Sequence, residues 1–391
     1  MGEQQMGDQP LLERIMAQAG IQPRRVIFDD QGWLRVLDLS GLRLGRVPEG
    51  IGQLRHLQVL NLVGNQLAAV PGELGQLSEL QDLYLGENHL SLIPDEVGQL
   101  HQLQRLNLHK NRLTAFPEAL SQLHNLQRLT LHHNQLRSLP EALGQLSQLL
   151  WLDLHENQLN TLPEELAQLH MLEQLNLCNN QLMSIPRVIS QLEQLQTLGL
   201  SGNQLQTLPE EFMYLHQLKG LGLNDNRLQT FPTIVTQLTQ LQSLHLRRNR
   251  LTLIPAELGR LQKLQSLYLD ENRLVTLPME VGQLRDLRNL SFQRNQLTTV
   301  PRELGYLRRL GWLDLSYNSL SALPEELGQL RSLWLLKLER NPLQILPKEM
   351  GQLRNLKHLT VSKYLSFQVP EELAQRQDVQ ITMFHGPVGY Q

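Results

Sequence analysis

Apolar side chains recur along the chain with a period of 23 residues. In the repeat LQRLTLHHNQLRSLPEALGQLSQ (residues 126–148), positions 1, 4, 6, 11, 14, 18 and 21 are apolar and position 15 is proline. Fifteen such repeats follow one another without insertion, and they start at Leu34, Leu57, Leu80, Leu103, Leu126, Leu149, Leu172, Leu195, Leu218, Leu241, Leu264, Leu287, Leu310, Leu333 and Leu356. A fixed period of roughly 20–50 residues predicts stacked units that bury their apolar faces against one another.

Within each repeat, the pattern predicts one strand and one short outer segment. The alternation of apolar and polar residues at positions 4 to 6 is typical of a strand with one buried face. Position 9 is asparagine in thirteen repeats, where its amide can bond backbone groups that no sheet partner reaches. Proline at position 15 favours the first turn of a short helix or 3₁₀ segment.

The spacing L-x-x-L-x-L-x-x-N-x-L resembles the leucine-rich repeat family. The fuller pattern LPxELGQLxxLxxLxLxxNxL is similar to its 23-residue intracellular type, found in Ras-group scaffold proteins and in bacterial repeat proteins. The resemblance implies an α/β solenoid, a horseshoe with a parallel concave sheet and short helical or 3₁₀ outer segments. It also implies protein recognition, in intracellular signalling or as a bacterial effector.

The repeats divide the chain into three predicted parts. Residues 1–33 are expected to form an N-terminal cap, residues 34–378 the fifteen repeats, and residues 379–391 a closing strand and tail. We expect no appended enzyme domain, because only a short tail follows the closing strand.

The predicted caps have their own sequence signals. Residues 10–20 read as a helix and residues 26–28 as a strand that leads into the first repeat. The terminal repeats are atypical, since Leu42 and Tyr364 replace the asparagine and Ser366 replaces an apolar residue. Atypical terminal units are typical of capped repeat proteins.

Charge and composition exclude several classes of function. Thirty-five Lys and Arg residues against 38 Asp and Glu residues give a net charge of -3, which provides no field for gathering nucleic acid or anionic lipid. The sequence has no apolar run long enough to span a bilayer and no secretory signal pattern. A single cysteine excludes an internal disulfide framework. We therefore expect a cytoplasmic monomer that binds no nucleic acid, membrane or cofactor.

The side chains at positions 3, 5, 7, 8 and 10 are expected to project from the concave sheet and form columns. Trp312 and Leu335 occupy position 3 in consecutive repeats, and Tyr317 occupies position 8. Tryptophan and tyrosine dominate protein-binding hot spots, so these residues are candidate anchors for a partner. The alternative is a cluster that packs on the C-terminal cap.

A second candidate patch combines Trp151, Asp153, His155 and Glu156, with Tyr268 further along the sheet. Here too, aromatic and charged side chains share exposed columns. Ordinary surface variation explains an isolated tyrosine equally well.

Basic residues also gather on the predicted sheet face. Arg247 and Arg248 offer an electrostatic contact for an acidic partner. Asp225, Asp270 and Glu271 lie among them, so a solvated ladder of mixed charge is the favoured interpretation.

Position 7 carries four residues that could bind metal in consecutive repeats: His109, His132, His155 and Cys178. His133 lies beside this column. A straight column presents ligands along a line whereas zinc prefers a tetrahedron, so we expect no metal site. The sequence thus favours a non-catalytic scaffold that binds a protein partner. The alternative is a metal-dependent or thiol enzyme at this column, with Cys178 as nucleophile and His155 as base.

Overall fold

A computed structural model describes residues 7–362 and 368–384. The expectations for Tyr364, Ser366 and the tail after residue 384 lie outside the described residues. The chain divides into two compact units, Met1–Leu195 and Gln196–Gln391, which are described in turn.

The first unit begins with a cap and continues as repeats of strand and 3₁₀ segment. Its described helix and strands are α1 (Gln9–Ala19), β1 (Arg25–Phe28), β2 (Leu34–Asp38), β3 (Val59–Asn61), β4 (Asp82–Tyr84), β5 (Arg105–Asn107), β6 (Arg128–Thr130), β7 (Trp151–Asp153) and β8 (Gln174–Asn176). Its described 3₁₀ segments are Ile51–Gln53, Gly72–Gln76, Asp95–Gln99, Glu118–Gln122, Glu141–Gln145, Glu164–Gln168 and Arg187–Gln191.

The cap closes the first repeat on both its core and its sheet. Helix α1 buries Leu12, Ile15 and Met16 and ends at Gly20, whose left-handed φ of 68° lets the chain turn. Strand β1 pairs antiparallel with β2, whereas β2 to β8 pair in parallel. The helix and strand expected near residues 10–20 and 26–28 are thus observed.

The second unit has the same alternation and ends on a closing strand. Its described strands are β9 (Thr197–Gly199), β10 (Gly220–Gly222), β11 (Ser243–His245), β12 (Ser266–Tyr268), β13 (Asn289–Ser291), β14 (Trp312–Asp314), β15 (Leu335–Lys337), β16 (His358–Ser362) and β17 (Gln380–Phe384). Its described 3₁₀ segments are Glu210–Tyr214, Thr233–Gln237, Ala256–Arg260, Met279–Gln283, Arg302–Tyr306, Glu325–Gln329 and Lys348–Gln352, and its helix is α2 (Glu371–Ala374).

Strand pairing in the second unit follows the sequence period. All neighbours from β9 to β17 pair in parallel, and each residue from β9 to β15 faces its equivalent 23 positions on, as Trp312 faces Leu335. At the end of the sheet the paired residues are 22 positions apart in sequence, as His358 faces Gln380. The outer segments are 3₁₀ helices, which confirms one of the two predicted forms.

The apolar positions of each repeat form the core. In the repeat of residues 126–148 the side chains with no exposed area are Leu126, Leu129, Leu131, Leu136, Leu143 and Leu146. Burying one such side chain contributes roughly 1.5–3 kcal/mol, so the leucine rows are the main stabilising feature of each unit.

The asparagine at position 9 completes each turn, as predicted. Asn134 donates from Nδ2 to the carbonyl oxygens of Leu108 and Leu131, both at 3.0 Å, and its Oδ1 accepts from the Leu113 N–H at 3.0 Å. It therefore links backbone groups of two consecutive repeats that would otherwise be buried without partners.

The residue before this asparagine adopts an unusual backbone conformation. At position 8, φ is close to +50° at Glu87, Lys110, His133, Glu156, Asn179, Asp225, Arg248, Glu271, Arg294, Tyr317 and Arg340. A left-handed conformation costs an ordinary residue roughly 1–2 kcal/mol. Because it recurs in nearly every described repeat, it is part of the scaffold and does not by itself mark a functional site.

Among the helices in the described part of the chain, none is long and apolar enough to cross a membrane.

Candidate functional site

The outward-facing side chains of the strands and of the turn after each strand form an exposed face in each unit, which we call the sheet surface. It consists of positions 3 and 5, on the strands, and positions 7, 8 and 10, in the turns. Parallel pairing places the same position of consecutive repeats side by side, about 5 Å apart. Residues far apart in sequence therefore become neighbours in space.

Aromatic side chains meet on the sheet surface of the second unit. The rings of Tyr268 and Trp312 have centroids 5.6 Å apart, although strand β13 lies between their strands, β12 and β14. Lys337 places its Nζ atom 6.0 Å from the centroid of the Trp312 ring. Trp312 and Leu335 are half-buried, on adjacent strands. The structure thus joins Tyr268, which the sequence grouped with Trp151, to Trp312.

Tyr317 lies in the turn after β14, with 38% of its surface exposed. Two guanidinium groups face its ring, from Arg294 at 4.9 Å and from Arg340 at 6.0 Å. Cations held over an aromatic face keep that ring in place while leaving part of it in water. We call Tyr268, Trp312, Tyr317 and Leu335 the aromatic surface.

The predicted basic cluster is paired with carboxylates. The Nε atom of Arg247 lies 2.9 Å from Oδ2 of Asp270, and the Nε atom of Arg248 lies 3.1 Å from Oε2 of Glu271. Burial raises the pKa of Asp270, against the opposing effects of its bonds to Ser291 and Arg247. This geometry is a ladder of ion pairs, the favoured interpretation of the sequence pattern.

In the first unit, Trp151 is half-buried beside a cation, with the guanidinium carbon of Arg128 at 5.2 Å from its ring centroid. In the same repeat as Trp151, Oδ1 of Asp153 lies 2.7 Å from Nδ1 of His155. Glu156 is exposed and pairs with His133. The second candidate patch is therefore continuous with the histidine column.

The histidine column packs as a group of rings. His132 has its ring centroid 4.2 Å from that of His155 and 4.8 Å from that of His109. His133 joins them, at 5.2 Å from both His132 and His155. The rings are tilted or edge-on to one another.

His132 is the member without a hydrogen-bond partner. Both of its ring nitrogens are buried and unpartnered in the described part of the chain. Burial lowers the pKa of His132 to about 4, with Asp153 acting in the opposite direction and His155 and His109 lowering it further. The imidazole is therefore neutral near pH 7. The pKa of His109 is also lowered by burial.

Two groups of side chains, among those that the structure describes, bring three possible metal ligands within 4.8 Å of one another. One contains His132, Asp153 and His155, and the other contains His133, His155 and Glu156. Neither includes Cys178, the fourth residue of the predicted column. Nδ1 of His155 bonds Asp153 and not Cys178.

Comparison with family models gives matches along most of the repeats. A model described as a leucine-rich repeat region matches residues 32–136, and a model described as leucine rich repeat matches residues 175–228, 239–297 and 285–343. A comparison with curated proteins gave no match.

Solved structures of similar fold come from bacteria and plants. The chain is 40% identical to the Leptospira interrogans LRR protein LIC12759, with a TM-score of 0.77, and the match covers 88% of this chain and 94% of that one. The plant peptide hormone receptor RGFR1, solved in complex with RGF2, is 28% identical with a TM-score of 0.69, and the match covers 92% of this chain and 68% of the receptor. The functional domain of InlJ from Listeria monocytogenes shares the fold, at 24% identity and a TM-score of 0.72, with 85% of this chain and 69% of that one covered. The chain belongs to the leucine-rich repeat family.

Proposed function

We propose that this protein is a non-catalytic scaffold that binds a protein partner on its sheet surface, with the aromatic surface as the main anchor. Leucine-rich repeats generally mediate protein–protein interaction. The observation that carries the proposal is the contact of Tyr268 with Trp312, beside half-buried Leu335, on the sheet surface.

The composition of the aromatic surface supports this role. Tryptophan and tyrosine bury a large area for few rotatable bonds, and they are enriched among residues that dominate binding energy. The core does not need the side chains of Trp312 and Leu335, because Leu313 and Leu336 on the same strands already fill it. A neighbour of the same fold, RGFR1, is known in complex with the peptide hormone RGF2.

Charge around the anchor indicates the chemistry of the partner. Arg294 and Arg340 flank Tyr317, and Lys337 lies over Trp312. A partner that presents an apolar side chain bordered by acidic groups would match this surface in both shape and charge. The charge pairs of Arg247 and Arg248 would contribute to specificity at the rim of the interface.

The same proposal includes the remaining expectations from the sequence. We place the scaffold in the cytoplasm, as a monomer that acts without nucleic acid or membrane, in a signalling assembly or as a bacterial effector. Light scattering on the purified chain should give a single-chain mass of 45.0 kDa, and a dimer mass would contradict the monomer.

Alanine at both Trp312 and Leu335 should abolish capture of the partner from native lysate. Removing two interface anchors costs about 2 kcal/mol or more each, which together weakens affinity by roughly 700-fold or more. The measurement is a quantitative pull-down with the purified chain as bait, compared with the wild type.

The control replaces two exposed apolar residues on outer segments, Met279 and Tyr306, by alanine. All three proteins should give the same circular dichroism melt. Retained capture by the Trp312 and Leu335 variant, or its loss in the control variant, would contradict this assignment of the site.

A further inference from the structure

The histidine cluster of the first unit has a geometry that its sequence pattern does not show. Asp153, at position 5, joins His132 and His155, which occupy position 7 of neighbouring repeats. Ligands from two columns of two repeats form a triangle, whereas one column supplies a line. The tetrahedral preference of zinc therefore no longer argues against binding here.

Chemistry at His132 points to a missing ligand. A neutral imidazole carries one donor and one acceptor, and both nitrogens of His132 are buried without partners. Each buried polar group left unsatisfied costs roughly 1–3 kcal/mol. An apolar side chain at this position would avoid that free-energy cost. The neutral ring is the form in which histidine binds transition metals.

The second imidazole is already oriented for coordination. Nδ1 of His155 lies 2.7 Å from Oδ1 of Asp153, so these two atoms are close enough to bind one ion together. Asp153 is buried, and its carboxylate oxygens can coordinate a metal ion.

We propose that His132, His155 and Asp153 bind one divalent transition metal ion of the zinc class, between β6 and β7. Ligand atoms around a tetrahedral zinc ion lie about 3.3 Å apart, given Zn–N bonds of ~2.0–2.1 Å. The three ligand atoms now lie within 4.8 Å of one another, so side-chain rotation closes the site. Three protein ligands leave a fourth position for water or for a donor from the bound partner.

The competing triplet of His133, His155 and Glu156 differs in one respect. His133 already bonds Glu156, so its groups have partners without an ion. His132 has none, and for that reason we assign the ion to the first triplet. Both triplets share His155, so one chain should bind one ion.

The test uses the full chain without a histidine tag, stripped with chelator and titrated with Zn²⁺ by calorimetry and with Co²⁺ by visible absorption. We expect one ion per chain, intense cobalt bands typical of a tetrahedral site, and a higher Tm with zinc. The variants His132→Ala and Asp153→Asn should each weaken binding by about tenfold or more.

Matched controls make the outcomes distinct. His245→Ala removes a histidine from the sheet surface of the second unit and should leave binding unchanged, as should Glu156→Gln. Circular dichroism must show that each variant is folded. Absence of stoichiometric zinc, unchanged binding by His132→Ala, or loss of binding only in Glu156→Gln would overturn the assignment. Because no partner enters this experiment, its failure would leave the proposed scaffold function standing.

Discussion

At position 9 of thirteen repeats, an asparagine side chain can supply hydrogen bonds that a turning backbone cannot make for itself. The structure shows how Asn134 does this: its amide donates to carbonyls of two repeats and accepts an N–H from the earlier one. Its place every 23 residues was enough to predict this role. The left-handed backbone at position 8 was not predictable, because that position holds Glu, Lys, His, Arg, Tyr and others.

Asn134→Ala should destabilise the first unit by about 2–4 kcal/mol, because it leaves buried carbonyls and one N–H unpartnered. Denaturant unfolding followed by circular dichroism measures the change. Gln135→Ala, at the exposed neighbouring position, is the control and should shift stability by less than about 0.5 kcal/mol. Equal effects of the two substitutions would show that the asparagine ladder is not a stabilising element.

His245 should make stability depend on pH. It is enclosed by Ser243, whose hydroxyl lies 2.8 Å from Nε2, and by the edge-on ring of Tyr268 at 4.8 Å. Burial, together with the positive charge of Arg247, lowers the pKa of His245 below 6.5. Below pH 6.5 this histidine binds a proton in the unfolded chain but not in the folded chain. The free energy of unfolding therefore falls as the pH falls.

The measurement compares Tm between pH 7.5 and pH 5.5 in the wild type and in His245→Gln. We expect a smaller loss of Tm in the variant, since the other histidines contribute equally to both proteins. A larger loss in the variant would mean that protonation of His245 is favoured in the folded state.

At the scale of elements, glycine at position 19 sets how closely neighbouring outer segments pack. A Cβ atom added to Gly305 would lie 2.2 Å from the carbonyl oxygen of Glu326, in the next 3₁₀ segment. Where Ser121 or Thr236 occupies the same position, the outer segments of successive repeats pack less closely. The sequence placed this glycine on the outer side of the repeat, but only the structure shows what it touches.

Gly305→Ala should therefore cost about 1–3 kcal/mol, because the backbone of the next segment must shift to admit a methyl group. Gly45→Ala is the matched control, since nothing lies within 4 Å of the added atom and its φ is not positive. Chemical denaturation of both variants gives the comparison. A cost at Gly45 equal to that at Gly305 would remove close packing as the cause.

Strands and outer segments were largely predictable, because a 23-residue period fixes both the side of each leucine and the pairing register. The cap helix and both terminal strands were also predictable from their local patterns. Helix α2 had no such signal: four residues, Glu371–Ala374, are too few for a periodicity to show.

At the scale of the molecule, repetition explains how each unit is stable while its exposed face is free to vary. Leucines of one repeat bury those of the next, so the free energy of unfolding is a sum of contributions from neighbouring repeats. It does not depend on which residues occupy the sheet surface. Candidate binding residues were therefore predictable as columns. Their contacts were not: the pairing of Tyr268 with Trp312 and the unpartnered ring of His132 depend on rotamers that sequence spacing does not specify.

The most direct test of the scaffold function is site-specific photo-crosslinking in native lysate. A photoreactive phenylalanine replaces Trp312 on the sheet surface, and in a second protein it replaces Tyr306, which is 50% exposed on an outer 3₁₀ segment. We expect one discrete partner band from position 312 and none from position 306. A band from position 306 alone, or identical bands from both positions, would contradict binding on the sheet surface.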